Sequence, residues 1–441
     1  ISTVSAGGNN PTIMGSSWSN GTILRGFDAI RNNPANLGLS DNVQGSLNVF
    51  FFMPNLSYVL ENSFSLNVYN DYISKSGDNS WSSSDVDKIL DQLDDKWRIQ
   101  NELNFDIFGL TYHNMGFSIA ANSIQNISVP KELLELVLKG NETGKVYDAK
   151  EFDGESFSSV SLDLSYAHTI NHRWIDKYFQ EFSVGGTIRL IHSLPGAEMD
   201  DFEKDSEEKI SPAYFKIKNV DSYIVAHDIT DENSPDEGAT QVKGSFEVLV
   251  SEAGMGFATD LAMAGIINDK MTIGLSFIDL FSYIDWYKNS KIYKYEYKMN
   301  GLLLSDMDDS DDSLFADIQT TKDGSFYTTL PIELKLDYVW KFYPENQNLF
   351  WTSAYKQGFK NELTSTTMPK FSTGFEWYHN SAKWFRFRSG ITLGGDALYS
   401  SAAGFSTAFK HYSMDFAIEN KYFYGDSSKG LSFAIGQKIY W

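Results

Sequence analysis

The feature that most restricts what this chain can become is an alternation of period two that holds its phase over long stretches. Val160, Leu162, Leu164 and Tyr166 alternate with Ser159, Ser161, Asp163 and Ser165, and Phe182, Val184, Ile188 and Leu190 with Glu181, Ser183, Thr187 and Arg189. Later, Ile332, Leu334, Leu336, Tyr338 and Trp340 alternate with Glu333, Lys335 and Asp337, and Phe385, Phe387, Ile391 and Leu393 with Arg386, Arg388 and Thr392. Successive side chains of a strand point to opposite faces, so each run is a strand with one apolar and one polar face. Nearer the start, Leu47, Val49 and Phe51 read as a strand ended or kinked by Pro54, and Phe64, Leu66 and Val68 as another.

Such strands suit a soluble sandwich or a membrane barrel equally well. Length separates the two, because the runs extend over about 10 to 15 residues, as tilted spanning strands do. Short turn signals at Asn268-Asp269 and Asn380-Ser381 alternate with long polar excursions, the loop asymmetry of membrane barrels. Hydrophobic residues make up only 42% while aromatics reach 15%, and mean hydropathy is −0.31. A barrel lined inside by polar residues and girdled by aromatics has this average, and no run approaches the roughly 18 apolar residues of a spanning helix. The expected fold is all-β: a transmembrane antiparallel β-barrel of about 14 strands, 16 being the next choice.

Residues 1–42, rich in Gly, Ser and Asn, carry irregular apolar positions (Ile13, Met14, Ile23, Leu24, Phe27, Ile30) and are expected to form an ordered plug, with 43–441 as the barrel. Two inserts have helical spacing, Ser83 to Leu93 and Pro130 to Lys139, joined to strands near 99–113 and 115–127. Residues 195–240 and 302–324 are expected to be long acidic external loops or partial strands, with Glu198, Asp200, Asp201 and Glu203 in the first and Asp306, Asp308 and Asp309 in the second. Carboxylate clusters can ligate calcium, but the glycine turn and closing Glu of an EF-hand loop are missing, and solvated surface is the expectation. A net charge of −22 argues against nucleic acid as a partner. The chain has no cysteine, and its start at Ile1 fits removal of a signal peptide.

Catalytic chemistry finds little support. The seven histidines show no metal-ligand spacing, there is no Gly-x-Ser-x-Gly elbow, and Gly140 to Lys145 lacks the spacing of a phosphate loop. Neither enzyme activity nor a cofactor or metal is expected. The charges on the polar parity of strands, Glu181, Arg189, Glu333, Lys335, Asp337, Arg386, Arg388 and Lys438, are expected to face the lumen. Their mixed signs favour a filled interior over the single-sign ring of a selective pore.

Asn33-Pro34-Ala35, about ten residues before the first strand, resembles the Asn-Pro-Ala motif in the hatch of long-chain fatty-acid transporter (FadL-type) barrels of the bacterial outer membrane. Leu431 to Trp441, alternating and closing on an aromatic, resembles the C-terminal signal through which such barrels engage the barrel-assembly machinery. The layout resembles an uncharacterised branch of that superfamily, with helical inserts after the second and fourth strands. The resemblance implies a plugged 14-stranded barrel in outer-membrane lipid that takes up small hydrophobic molecules, through plug movement and a wall defect such as a kink near Pro54. The alternative it implies is a non-transporting partner barrel, akin to type IX secretion accessories, that holds another outer-membrane or secreted protein.

Overall fold

A computed structural model describes residues 10–49, 55–74, 81–140, 142, 145–195, 199–200, 209–210, 212–225, 240–302, 317–343, 347–395, 398–422 and 427–441. Much of both acidic loops, and Pro54 with its expected kink, lie outside them.

The strands close into one antiparallel barrel of 14 strands. In chain order they are β1 (Gly45–Val49, resuming at Asn55–Asn62), β2 (Lys96–Tyr112), β3 (Met115–Pro130), β4 (Asp153–Thr169) and β5 (Glu181–Ser193, resuming at Tyr214–Val225). Next come β6 (Thr240–Ser251 and Ala253–Asn268), β7 (Met271–Lys288 and Lys291–Leu302) and β8 (Asp317–Asp323, Phe326–Thr328 and Glu333–Phe342). The wall is completed by β9 (Gln347–Gly358), β10 (Lys370–His379), β11 (Phe385–Gly394), β12 (Tyr399–Phe409), β13 (Tyr412–Tyr422) and β14 (Ser428–Tyr440). Closure is the pairing of β1 with β14, Ser46 opposite Tyr440 and Leu56 opposite Ile435. Trp441 finishes the ring by exchanging two backbone hydrogen bonds with Gly45, each 3.2 Å. With no free edge, every spanning strand satisfies its backbone within the sheet, which is what a hydrocarbon environment demands.

Exposure follows the sequence parity. Leu164, Ile188, Leu261, Leu336, Phe375 and Leu431 are exposed on strands distributed around the wall, while their neighbours Asp163, Arg189, Asp260 and Asp337 are buried. Apolar surface exposed on every side of a barrel fits lipid contact. One end has the tight connections, including Asn268 to Met271 and Phe409 to Tyr412; the other carries the long ones.

Three expectations need correction. Phe64 to Val68 is not a strand: a short helix α1 (Leu66–Val68) runs into a π turn (Tyr69–Ile73). The two longer helices, α2 (Ser83–Asp91) and α3 (Lys131–Lys139), therefore follow the first and third strands, not the second and fourth. Their flanking strands are also longer than the alternation suggested, reaching Lys96 and Pro130. Phe64 and Val68 pack with Val86, Ile89 and Leu90 of α2, and a capping box between Ser82 and Asp85 starts that helix.

Residues 10–42 fold inside the barrel. A single helical turn, Pro11–Met14, contacts β12, β13 and β14, and 3-10 turns at Gly21–Ile23, Gly26–Ala29 and Pro34–Gly38 contact β7 and β8, then β1 to β3, then β4 to β6. The chain thus makes a circuit of the inner wall.

Candidate functional site

The inner circuit is tied to the wall by charge. Arg31 reaches Asp163 at 2.5 Å and Ser161 at 2.9 Å. Asp163 also accepts from Arg189 of β5, whose other two nitrogens donate to Asp260 (2.9 Å) and Asp279 (2.6 Å). Across the lumen, Lys438 of β14 pairs with Asp28 of the inner segment and lies 3.3 Å from Asp415. Asp415 also meets Arg388, which bonds Glu376 at 2.7 Å. Removing one partner of a buried pair costs about 3–5 kcal/mol, so these contacts hold the segment in register.

Of the charges selected in the sequence, Arg189, Arg388, Glu333, Lys335 and Asp337 are buried. Lys335 lies 3.3 Å from Asp337, and Glu333 2.9 Å from Lys356. Glu181 sits at the short-turn end, where its carboxylate accepts from the backbone and hydroxyl of Ser40, both at 2.6 Å. Arg386 is partly exposed, 3.6 Å from Glu376 and stacked over Tyr378. Among the described residues the lumen holds several separate networks, including one around Arg189, one around Arg388 and one in which Lys421 meets Glu61 (3.2 Å) and Glu419 (3.4 Å), rather than one ring. Asp28, Arg31, Asp260, Asp279 and Asp415 belong to them and were not singled out. The acids at 260 and 279, within strands otherwise rich in apolar residues, were the available signal.

Asn33, Pro34 and Ala35 lie against β5 and β6. The Asn33 side chain caps the following turn through the Ala35 N–H (3.1 Å) and donates to the carbonyl of Met263 (3.1 Å). Ala35 packs on Ala262 and Ala264. A Cβ at Gly185 would come within 2.6 Å of the Ala35 nitrogen, so only glycine allows this approach.

On the outer side of the same wall lies an apolar groove of about 480 Å³, lined by Val184, Gly186, Leu261, Met263, Phe277 and Leu280 among others. Its edge is a break in the ladder: Thr259 faces Phe281 and Leu261 faces Phe277, so Asp260 alone opposes Ile278, Asp279 and Leu280. Asp279 adopts φ 54°, and its N–H donates to the Asp260 carboxylate at 2.9 Å. Inside, beside Asp279 and Arg189, a small cavity of about 30 Å³ is bordered by Ile124, Phe157, Ile191 and Leu363. Above it stands an apolar cluster that includes Trp286, stacked on Tyr214 at 4.7 Å. Asp279 and Leu280 thus lie on the inner and outer sides of the bulge.

His172, His379 and His411 bond backbone groups in short-turn connections. Among the described residues no group of three or more His, Asp or Glu side chains could hold a metal ion.

Fold and site together define a closed transmembrane β-barrel with its N-terminal segment packed in the lumen and a bulge in the wall behind that segment. The chain belongs to DUF5723, a family of unknown function, whose model matches residues 42–412. No curated protein matches it in sequence. Among solved structures it is similar to the CymD monoaromatic hydrocarbon channel (10% identity, covering 98% of this chain and 97% of that one, TM-score 0.49). It is also similar to the toluene transporter TbuX of Ralstonia pickettii (10%, 98% and 98%, 0.48) and to a FadL homologue of Pseudomonas aeruginosa (12%, 98% and 98%, 0.47).

Proposed function

We propose that this protein admits small hydrophobic molecules across the bacterial outer membrane, passing them from the apolar cluster in the lumen to the membrane through the wall between β5 and β7. The observation that carries this reading is the placement of Asn33-Pro34-Ala35. The motif backs the very wall segment, Gly185, Ala262 and Met263, that lines the apolar groove outside. Residues 10–42 act as a plug in this reading, and the lumen-facing charges fix its resting position. Movement of the motif away from Gly185, with opening of the bulge at Ile278 to Leu280, would join lumen to groove. A ligand drives such a change only by binding the opened state more tightly. The C-terminal strand ending at Trp441 would engage the assembly machinery.

The natural absence of cysteine makes the test clean. Ala35→Cys with Ala262→Cys, joined by oxidation or a short thiol crosslinker, locks the motif to β6. In proteoliposomes, entry of a fluorescent naphthylamine is expected to fall on locking and recover on reversal. Equal entry through locked and unlocked protein would sink the route.

A further inference from the structure

At the long-loop end the chain reaches back into its own mouth. Between β9 and β10, Glu362 and Ser365 exchange backbone hydrogen bonds of 3.3 and 2.9 Å, leaving Leu363 and Thr364 as a two-residue turn, and residues 363–366 are buried. Leu363 holds φ 53°. In that region a side chain crowds the following carbonyl, and turns of this kind ordinarily place Gly, Asn or Asp there. Here the leucine side chain, only 9% exposed, enters the apolar cluster with Phe157, Ile191 and Trp286. The cavity left beside it, about 30 Å³, has room for little more than water. The turn is latched by Lys216, which pairs with Glu362 and with Glu155 at 3.3 Å.

We propose that this cluster is a binding site for an uncharged hydrocarbon about the size of a single ring, and that Leu363 occupies it as a ligand supplied by the chain, to be displaced on binding. The inference rests on the uptake reading and narrows its substrate class. Strain kept at one buried residue is what a displaceable occupant requires. The rim repels carboxylates: Arg189, the cation at the cavity, is surrounded by Asp163, Asp260 and Asp279, whose negative charges outnumber its own. The Trp286 N–H is likewise spent on Thr328 at 2.9 Å, so this side of the cluster offers no free indole donor.

A ligand that binds only after Leu363 leaves has its affinity reduced by the fraction of protein in that state. Two variants of the full chain in mild detergent test this, with toluene as probe, benzoate as charged comparator and ligand-induced change in tryptophan fluorescence as readout. Leu363→Gly removes the occupant and suits the backbone; Glu362→Gln keeps the leucine and loosens the latch. Toluene is expected to bind both on the order of tenfold more tightly than the parent, and benzoate to bind none of the three. Tighter binding by Leu363→Gly alone would mean that a cavity had merely been created, and would overturn the proposal. Benzoate binding equal to that of toluene would overturn the neutral class. Naphthylamine entry into proteoliposomes separates the two readings. Entry through the parent protein with unaltered toluene affinity in both variants leaves uptake standing and removes the displaceable leucine. Tighter toluene binding by both variants without entry does the reverse.

Discussion

The backbone N–H of Asp279 is held by the carboxylate of Asp260, 2.9 Å away, at the point where the β6–β7 ladder is open. A side chain has replaced the missing strand partner, so the bulge is closed by charge rather than by sheet. Both aspartates then converge on Arg189, which also meets Asp163, the aspartate that receives Arg31 of the inner segment. Wall break and inner segment share one buried network.

Arg189→Met should therefore damage both. It leaves Asp260 and Asp279 buried without their cation, and the expected cost is about 3–5 kcal/mol. Urea unfolding of the detergent-solubilised barrel measures it; a loss under about 1 kcal/mol would show that water already screens the site.

Lys438→Met should release the inner segment at its other anchor. Asp28 loses its cation, whereas Asp415 keeps Arg388. Trypsin is then expected to cut after Arg25 and Arg31 in a barrel that otherwise stays intact. Adding Asp28→Leu should restore much of the protection, because removing both buried charges avoids the unpaired one. Equal protection of parent and single variant would mean that the ion pair does not hold the segment.

The barrel was legible because period two is imposed directly by the strand, and lipid outside with polar lumen inside keeps it strict, as at Val160 to Tyr166. Phe64, Leu66 and Val68 alternate in sequence yet form no strand, for a physical reason. Phe64 and Val68 are four apart and face α2 together, while Leu66 is 47% exposed, a helical arrangement that three alternating apolar residues cannot reveal. The bulge was hidden for a related reason: from Phe277 to Phe281 alternation lapses into a mostly apolar run, which reads as a buried strand. The partners of Arg189 are assembled from β4, β6 and β7, and such convergence follows from strand register, which local pattern does not supply. Leu363 gave no signal, since nothing in Glu-Leu-Thr-Ser marks a left-handed leucine.

Deletion of residues 1–42 should raise single-channel conductance in planar bilayers, since residues 10–42 pack against strands on several sides of the inner wall. The rise should exceed that of Lys438→Met, which frees one anchor only. Unchanged conductance in the deletion would contradict a plugging role and place the closure at the long-loop end.

Gly185→Leu isolates the Asn33-Pro34-Ala35 contact from the charges around it. A Cβ at that position would lie 2.6 Å from the Ala35 nitrogen and 2.7 Å from the Pro34 carbonyl carbon, and backbone cannot yield as a flexible side chain can. The motif must shift, losing the Asn33 bond to the Met263 carbonyl while Arg31 and Asp28 keep their partners. The expected stability loss is about 1–3 kcal/mol, the range for overpacking. Naphthylamine entry should meanwhile rise several-fold, because the floor of the groove is no longer backed by Ala35. Stability loss without faster entry would show that Asn33-Pro34-Ala35 serves packing alone. Gly185→Ala, which adds only the Cβ, should fall between parent and leucine variant in both measurements, tying the effect to distance from the motif.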